Sequence, residues 1–393
     1  MDAGAILPRR RLIGATWREA LARKQSRLLA EFLWRNSAPM KPAEETASQD
    51  SEAELHIQTT LSPDLLNQIF MLLPAESLFR LQFVCKQWFG LINTPTFVTS
   101  HARKSETVLL SQHLAFWPNE GKPKAYFHFL SLDCLSSSFV ESSVPDLASV
   151  RASYNGLVLA SNGRRKRLVL MNPITGKHVE LPLGVSSHHL CESFGIAFCS
   201  EAKTYKVVHL FREVLGGVGC EILSVDTRKW MRIKGPHESI RVRQMPVSVG
   251  GSLHWLASKR ERDCFVSMDV RGERFVAKKL PAKREWGDRL VEIGGSLGFV
   301  SHAEVNTFQV WIMNGLGECW MKRCSINLSG CVPVCSRRDG EEMVLESAGG
   351  RLCVYNFGRD ETRVVNGGGE PWFGKKINRL YIPHRNTLNC IMW

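Results

Sequence analysis

Long apolar runs are missing from this chain of 393 residues. No stretch of about 18 apolar residues occurs, which excludes a membrane-spanning helix of the usual length. The apolar stretch nearest the start, Ala5-Ile6-Leu7, is too short for the core of a secretory signal peptide and is followed by Arg9-Arg10-Arg11. We therefore expect an intracellular protein, in the cytoplasm, the nucleus or both, with no membrane partner.

Catalytic and metal-binding motifs are also missing. The spacing of Cys319, Cys324, Cys331 and Cys335 fits neither a zinc ribbon nor a CxxC pair. The Gly-rich stretches do not lead into a helix with a following Lys-Ser or Lys-Thr, so they predict turns rather than phosphate-binding loops. The sequence therefore predicts a protein that is not an enzyme and has no catalytic residue, metal site or cofactor.

The positive charge has no single concentrated source. The formal net charge is +13, with 9 basic and 3 acidic side chains in residues 1–41 and 5 acidic but no basic ones in residues 42–60. Beyond residue 60 the basic excess is diffuse, whereas a dedicated nucleic-acid surface should be clustered. A nucleic-acid partner is therefore the less favoured interpretation.

The first 60 residues fall into two segments. Residues 1–36 predict a basic amphipathic helix, and residues 37–60 predict a flexible acidic linker. The helix could be a mitochondrial presequence, a nuclear address, a partner-binding helix or an element docked on the main domain; we favour docking. The apolar repeat that predicts the helix consists of Ile13, Trp17, Leu21, Leu28 and Phe32.

Residues 61–104 have helical spacing. Ser62 followed by Pro63 and Asp64 predicts an N-cap with proline and an acid in the first turn. Pro74 should stop this helix, and a further helical stretch should extend to Pro95. The segment carries two apolar stripes, more than about 40 residues can bury by themselves. The second stripe packs either on the following domain or on another protein, and the pattern leaves both open.

In order and spacing, the apolar positions from Leu61 to Phe97 resemble the F-box motif. One departure is that Ser62 stands directly after Leu61, where the family usually has proline. The resemblance implies binding of a Skp-type adaptor, and through it a cullin and a RING subunit. It implies an adaptor contact set of Leu61, Pro63, Leu65, Leu66, Ile69, Phe70, Leu72, Leu73, Pro74, Leu78, Leu81, Val84, Cys85, Trp88 and Ile92.

Beyond residue 105, short β-branched and aromatic runs are broken by Gly, Asn and Asp. A strand, a polar turn and another strand recur with a period of about 40 to 55 residues, which is typical of propeller blades. Residues 105–393 therefore predict about six blades, closed by a C-terminal strand around Leu380-Tyr381-Ile382. Four sequences of the Gly-x-Leu type should open strands, at Asn155-Gly156-Leu157, Gly251-Ser252-Leu253, Gly295-Ser296-Leu297 and Gly350-Arg351-Leu352. The turn anchors are Asn172, Asp226, Asp269, Asn314 and Asn356, and the tryptophans expected between blades are Trp230, Trp255, Trp311 and Trp320.

Several stretches of this region resemble the plant F-box-associated domain, which is kelch-like in its repeats. They include Tyr154-Asn155-Gly156-Leu157-Val158, Asn172-Pro173-Ile174-Thr175-Gly176 and Leu253-His254-Trp255-Leu256-Ala257. The resemblance implies a substrate-recognition domain. The whole chain is then an α+β multidomain protein, with N-terminal helices that include a three-helix F-box, followed by an all-β kelch-like propeller.

Two functions remain for comparison. The favoured one is the substrate-recognition subunit of an SCF-type (Skp/cullin/F-box) ubiquitin ligase, which binds a protein substrate through its β domain. The alternative is a basic propeller that binds nucleic acid or an anionic partner without a ubiquitin role. The basic excess beyond residue 105 favours an acidic substrate segment, for which the candidate contacts are Arg164, Arg165, Lys166 and Arg167. A solvated hairpin tip is the favoured explanation of this cluster, and a substrate contact is the alternative.

Overall fold

The architecture is that of a computed structural model. Its residues fall into two compact units that divide between Val98 and Thr99. The predicted N-terminal helix of residues 1–36 and the linker of residues 37–60 lie outside the described residues. The structure describes residues 61–389 apart from 116–123, 133–136, 163–165, 186–190, 215, 242–243, 259–262, 286, 305, 315–318, 329, 348–349, 366–374 and 377–380.

Four helices open the described chain. The predicted start of α1 is confirmed, since Ser62 Oγ accepts a hydrogen bond from the Leu65 N–H at 3.2 Å and Pro63 is the first helical residue. Pro95 was expected to end the helical segment but begins a helix instead, because proline at that position loses no helical hydrogen bond. The helices are α1 (Pro63–Phe70), α2 (Ala75–Leu81), α3 (Lys86–Ile92) and α4 (Pro95–Lys104).

A small apolar core holds α1, α2 and α3 together. Phe70 and Trp88 form its centre, with their rings 5.0 Å apart in an edge-to-face arrangement. Leu66, Leu78 and Ile92 are buried around them. Each of these helices has eight residues or fewer, so this packing must supply most of their stability.

The rest of the described chain forms six antiparallel sheets, the blades of a propeller. Blade 1 contains β1 (Thr107–Ala115), β2 (Lys124–Leu130) and β3 (Ser137–Glu141), and blade 2 contains β4 (Leu147–Tyr154), β5 (Leu157–Asn162), β6 (Arg167–Met171) and β7 (His178–Pro182). Blade 3 contains β8 (Glu192–Cys199), β9 (Thr204–Arg212), β10 (Val218–Ser224) and β11 (Lys229–Ile233), and blade 4 contains β12 (Val247–Val249), β13 (Ser252–Leu256), β14 (Cys264–Asp269) and β15 (Arg274–Lys279). Blade 5 contains β16 (Arg289–Ile293), β17 (Ser296–Glu304), β18 (Thr307–Met313) and β19 (Trp320–Asn327), and blade 6 contains β20 (Cys331–Arg337), β21 (Glu342–Ser347), β22 (Leu352–Asn356) and β23 (Glu361–Val365).

Two C-terminal strands, β24 (Lys375–Lys376) and β25 (Ile382–Arg385), return to blade 1. Strand β25 pairs antiparallel with β1, with Thr107 opposite Arg385. The innermost strands β25, β4, β8, β12, β16 and β20 then contact one another in turn around a ring. The predictions of six blades and of C-terminal closure are confirmed. The closing strand starts at Ile382, while Leu380 of the predicted strand lies outside the described residues. Its Pro383 is tolerated because an innermost strand has one edge without a partner.

The predicted turn anchors occupy one position in five successive blades. Each is the last residue of the third strand, counted outward from the centre, or follows it by one or two residues. Asn172 Oδ1 accepts hydrogen bonds from the N–H groups of Ile174 and Thr175, and Asn356 Oδ1 accepts from those of Gly358 and Arg359. Such side-chain caps close a tight turn locally.

The Gly-x-Leu sequences are less uniform than expected. Gly156, Gly251 and Gly295 precede the second strand of blades 2, 4 and 5, each with φ near +80°. Gly350 also precedes a strand, as expected, but this strand is the third of blade 6. The blade 6 turn before the second strand uses Asp339 and Gly340 instead, both with positive φ. Any turn that needs positive φ selects glycine, so this motif alone does not identify which strand of a blade follows it.

The apolar core lies between blades. One cluster joins Leu210 and Ile222 of blade 3 to Trp255 and Met268 of blade 4, and equivalent clusters join the other described neighbours from blade 2 round to blade 1. The inter-blade role predicted for the tryptophans is confirmed. Trp255 is buried, while Trp230, Trp311 and Trp320 pack half-buried against their clusters.

Candidate adaptor and substrate surfaces

The residues of the predicted adaptor set divide sharply by exposure. Leu65, Ile69 and Leu72 lie along one side of α1 and its end, and Leu72 is 84% exposed. Leu61, Pro63 and Pro74 are exposed near them. This group, named here the α1 stripe, presents apolar side chains that the described F-box residues leave uncovered. An apolar stripe at this spacing suits a groove in another protein.

Five members of the predicted set are buried: Leu66, Phe70, Leu78, Trp88 and Ile92. They form the small core described above, so in this conformation they support the α1 stripe from behind. The remaining four members of the set, Leu73, Leu81, Val84 and Cys85, are half-buried. The sequence predicted a helix up to Pro74 and one further helical stretch to Pro95, but α1 ends at Phe70 and residues 82–85 separate α2 from α3. Leu72, Leu73, Val84 and Cys85 therefore lie outside the helices. The pattern also did not separate the supporting residues from the exposed ones.

Two exposed phenylalanines were not included in the predicted set. Phe83 is 70% exposed and its ring packs edge-to-face on Phe79 at 5.4 Å, while Phe89 is 51% exposed on α3. The signal that could have identified Phe83 was present, because Phe79 and Phe83 stand four residues apart beside the main stripe.

The propeller has two faces, defined by which connections they carry. If A to D denote the strands of a blade from the centre outward, the A–B and C–D turns lie on one face, the A–B face. The B–C turns and the D–A connections between blades lie on the other, the B–C face. Residues 99–106 lead into β1 at the A–B face, where a cavity of about 100 Å³ is lined by residues that include Lys104, Arg337 and Arg385.

The described half of the predicted basic cluster lies on the B–C face. Lys166 and Arg167 are exposed where β6 begins, and Lys166 has a φ of 48°. Arg167 Nε lies 3.8 Å from Glu180 Oε2 on the next strand, a surface ion pair of little energetic value. Arg164 and Arg165 lie outside the described residues. The substrate role of the cluster stays a prediction.

A buried ionic group connects blades 2 and 3. His209 Nδ1 lies 2.7 Å from Glu221 Oε1, its Nε2 lies 3.4 Å from Glu192 Oε2, and Arg151 contacts Glu192 at 3.1 Å. Burial lowers the pKa of His209, but the two glutamates outweigh it and the pKa rises above its ordinary value. Glu221 also accepts the Val185 N–H at 2.7 Å. The group therefore fixes the connection that follows β7.

Cys324 and Cys335 have the properties of packing residues rather than nucleophiles. Burial raises the pKa of Cys335 to about 12 and that of Cys324 to about 11, so neither forms a thiolate readily near neutral pH. Within the described ranges, no group of three or more His, Cys, Asp or Glu side chains could hold a metal ion. None of the helices in those ranges is long and apolar enough to cross a membrane.

Comparison with protein families identifies both parts of the chain. Residues 59–99 match the F-box domain, and residues 99–331 match the F-box associated beta propeller domain. The second match covers more than half of the chain.

Individual relatives agree with this assignment. A putative F-box protein of Arabidopsis thaliana is 27% identical over 235 residues, which are 56% of this chain and 60% of that protein. A second Arabidopsis F-box protein is 28% identical, over 68% of this chain and 72% of its own. The Arabidopsis F-box protein CPR1 is 26% identical, over 76% of this chain and 82% of its own. The matches thus span about three to four fifths of these relatives. Among solved structures, TolB from Acinetobacter baumannii is similar with a TM-score of 0.44 and 12% identity, over 69% of this chain and 65% of that one.

Proposed function

This chain belongs to the plant F-box proteins with an F-box-associated β-propeller domain, and from that premise we propose that it is the substrate-recognition subunit of an SCF-type ubiquitin ligase. The α1 stripe binds a Skp-type adaptor, and through it a cullin and a RING subunit. The propeller binds a protein substrate. The observation that carries the proposal is an F-box region whose own core is complete while a second apolar stripe stays exposed.

Ubiquitin transfer in this scheme is the work of the partner subunits. The chain itself positions the substrate, which requires rigid surfaces and no catalytic group of its own. A closed propeller suits this role because its blades hold the connecting loops in fixed positions. We place this activity in the cytoplasm, the nucleus or both, which a fluorescent fusion of the full chain would test.

The adaptor contact is tested by Ile69→Asp. A carboxylate at this exposed position leaves the F-box core intact, but binding would bury it without a partner, at a cost of several kcal/mol. We expect copurification with a purified Skp-type adaptor to be lost while the melting temperature of the propeller is unchanged. Salt should matter little for the wild type, since an apolar contact persists at ionic strengths that weaken charge pairs.

The matched control is Met321→Asp, which introduces the same charge at an exposed apolar position on the outer strand of blade 5. It should copurify with the adaptor as the wild type does. Equal adaptor binding by wild type and Ile69→Asp would refute the assignment of the α1 stripe. Reconstitution with the cullin and RING subunits then tests whether the bound complex transfers ubiquitin to a captured protein.

A further inference from the structure

The outer strand of blade 4 has an edge that no described strand covers. Strand β15 pairs with β14 in an unbroken register from Arg274 to Lys279, and the described residues place no strand on its other side. The outer strand of blade 5 is longer, but a bulge near Val310 interrupts its pairing. Those of the other blades have five residues each. A regular outer strand presents a row of backbone N–H and C=O groups with which another chain can pair.

The backbone groups that point to this edge follow from the pairing. In an antiparallel pair, alternate residues hydrogen-bond to the partner strand, while the residues between them point away from it. The Leu280 N–H donates to the Asp263 carbonyl at 2.8 Å, so the set that faces β14 runs back from Leu280 through Val276. The N–H and C=O groups of Phe275 and Ala277 therefore point to the free edge.

The indole of Trp320, on the outer strand of blade 5, agrees with this alternation. Its Nε1 donates to the Lys279 carbonyl at 3.0 Å, and Lys279 belongs to the same alternate set as Phe275 and Ala277. No hydrogen bond between described residues reaches the N–H or C=O groups of Phe275 and Ala277 at this edge. These are the groups that an added strand would use.

The side chains at the centre of the edge are apolar, and those at its ends are charged. Val276 is 53% exposed, and Ala277 is exposed beside it. Phe275 packs on the cluster between blades 3 and 4, which holds the strand in place. Arg274 and Lys279 are exposed at the two ends of the strand, and neither forms an ion pair with a described residue. A strand paired here would meet apolar groups at its centre and a cation at each end.

The acidic residues near β15 are engaged with other groups. The strand itself contains three basic residues and no acidic one. Asp269 lies opposite Arg274, but its carboxylate accepts the Arg271 N–H at 3.0 Å and lies 3.8 Å from the Arg271 guanidinium. Glu273 pairs with Lys206 of blade 3 at 2.8 Å. The edge is therefore complementary to a partner with carboxylates.

We propose that the free edge of β15 binds an extended segment of the substrate, with apolar residues at its centre and Asp or Glu on both sides, as an added strand of blade 4. The proposal rests on the proposed role of the propeller in substrate recognition. Backbone hydrogen bonds to Phe275 and Ala277 supply the affinity, and carboxylates near Arg274 and Lys279 supply the specificity. A nucleic acid is the less suitable partner, because its backbone has no peptide groups at the spacing of a strand.

The test uses the full chain and a fluorescent synthetic peptide with a central run of Val and Thr flanked on each side by Glu. Binding is read by fluorescence anisotropy at low salt. One matched peptide carries Lys in place of Glu, and another has its central amides N-methylated, which removes the N–H donors of a strand but keeps the charge. We expect each of the two to bind about tenfold less tightly than the parent peptide.

The variant that blocks the edge is Ala277→Pro. Because the Ala277 N–H points away from β14, proline at this position removes no hydrogen bond from the ladder. It should weaken binding of the parent peptide about tenfold and leave binding of the N-methylated peptide unchanged. Should Ala277→Pro fail to fold, Lys279→Glu is the second variant, which should weaken binding of the Glu peptide and strengthen binding of the Lys peptide.

The matched control is Arg359→Glu, which makes the same charge reversal at an exposed turn of blade 6 and should bind the peptides as the wild type does. The proposal is overturned if the wild type binds the N-methylated peptide as tightly as the parent, if Ala277→Pro binds the parent peptide as the wild type does, or if Arg359→Glu loses binding as strongly as Lys279→Glu.

Other occupants of the edge would also be visible. Displacement of the parent peptide by oligothymidylate, equally from the wild type and from Ala277→Pro, would indicate a nucleic-acid surface and overturn the proposal. Displacement by a peptide with the sequence of residues 42–60 would assign the edge to the acidic segment of this chain, and would overturn the assignment to a substrate. Adaptor copurification, measured on the same samples, reports separately on the F-box role, so the failure of either proposal is visible by itself.

Discussion

The F-box region and the propeller differ in how completely they bury their apolar side chains. In the F-box region a small core around Phe70 and Trp88 is buried, and the α1 stripe with Phe83 and Phe89 stays exposed. In the propeller the apolar side chains pack blade against blade in clusters that continue around the ring. About 40 residues cannot cover their own apolar surface, whereas a closed ring of six sheets can. The difference indicates a region completed by a partner and a region complete by itself.

Opening the ring should produce the largest effect. Truncation after Tyr381 removes β25, which pairs with β1 and contacts β4 and β20. Strand β1 would then have an edge without its β25 partner. We therefore expect most of the free energy of unfolding, roughly 5–15 kcal/mol for a domain, to be lost. Thermal unfolding measures this.

The control for the truncation is Val364→Asp, on the exposed outer strand of blade 6, which should leave the melting temperature unchanged. Adaptor copurification should survive the truncation if the F-box region is folded by its own core. A truncated protein that melts with the parent would contradict closure by β25.

Phe70→Ala tests the core of the F-box region. The ring is 2% exposed and packs on Trp88, so its loss should cost about 3–5 kcal/mol, which is enough to unfold so small a core. We expect loss of adaptor binding together with proteolytic cleavage within residues 61–98, and a propeller melting temperature equal to that of the wild type. Protection of this segment from cleavage in the variant would show that the core is not as described.

Acid should weaken the propeller through buried neutral histidines. Burial lowers the pKa of His384, in the closing strand, to about 3, and burial followed by the charge of Lys278 lowers that of His254 to about 4. The folded-state pKa of each histidine lies below the unfolded value near 6.5. The stability that each neutral histidine contributes is therefore present above about pH 6.5 and is lost as the pH falls toward the folded-state pKa. Each such histidine should cost about 1.4 kcal/mol per pH unit in that window.

His209 affects the pH dependence of stability in the opposite direction. Because its pKa is raised in the folded state, its contribution to the free energy of unfolding is lost as the pH rises through that pKa. Denaturant titrations of the wild type between pH 7 and pH 4 measure the acid slope. His384→Gln should flatten the slope. An unchanged slope in this variant would exclude His384 as a source.

Trp320→Phe should have the smallest effect. It keeps an aromatic ring in the cluster between blades 4 and 5 but removes the hydrogen bond from Nε1 to the Lys279 carbonyl at 3.0 Å. The expected loss is about 1 kcal/mol in the free energy of unfolding. Trp230→Phe, which removes the equivalent bond to the Pro182 carbonyl at 2.9 Å between blades 2 and 3, should match it. A difference of several kcal/mol between the two would show that the repeats are not equivalent.

The candidate surfaces were predictable to different degrees. Residue types at helical spacing placed Leu65 and Ile69 on one stripe, because the period of a helix fixes which side chains share a side. Burial of Leu66 and Phe70 depends on how α1 meets α3, which the spacing does not state.

The sequence by itself determined the features that depend on neighbouring residues. Ser62 caps α1, and the Asn or Asp anchors close five equivalent turns, because each uses a side chain and an N–H group a few residues away. Only the tertiary structure decided where the ring closes. The Asn172 amide, besides its local turn, donates to the carbonyls of Thr387 and Asn389 in the C-terminal tail. Such contacts join segments far apart in the chain, so they form only when the whole ring brings two edges together, and no local pattern of residue types specifies them.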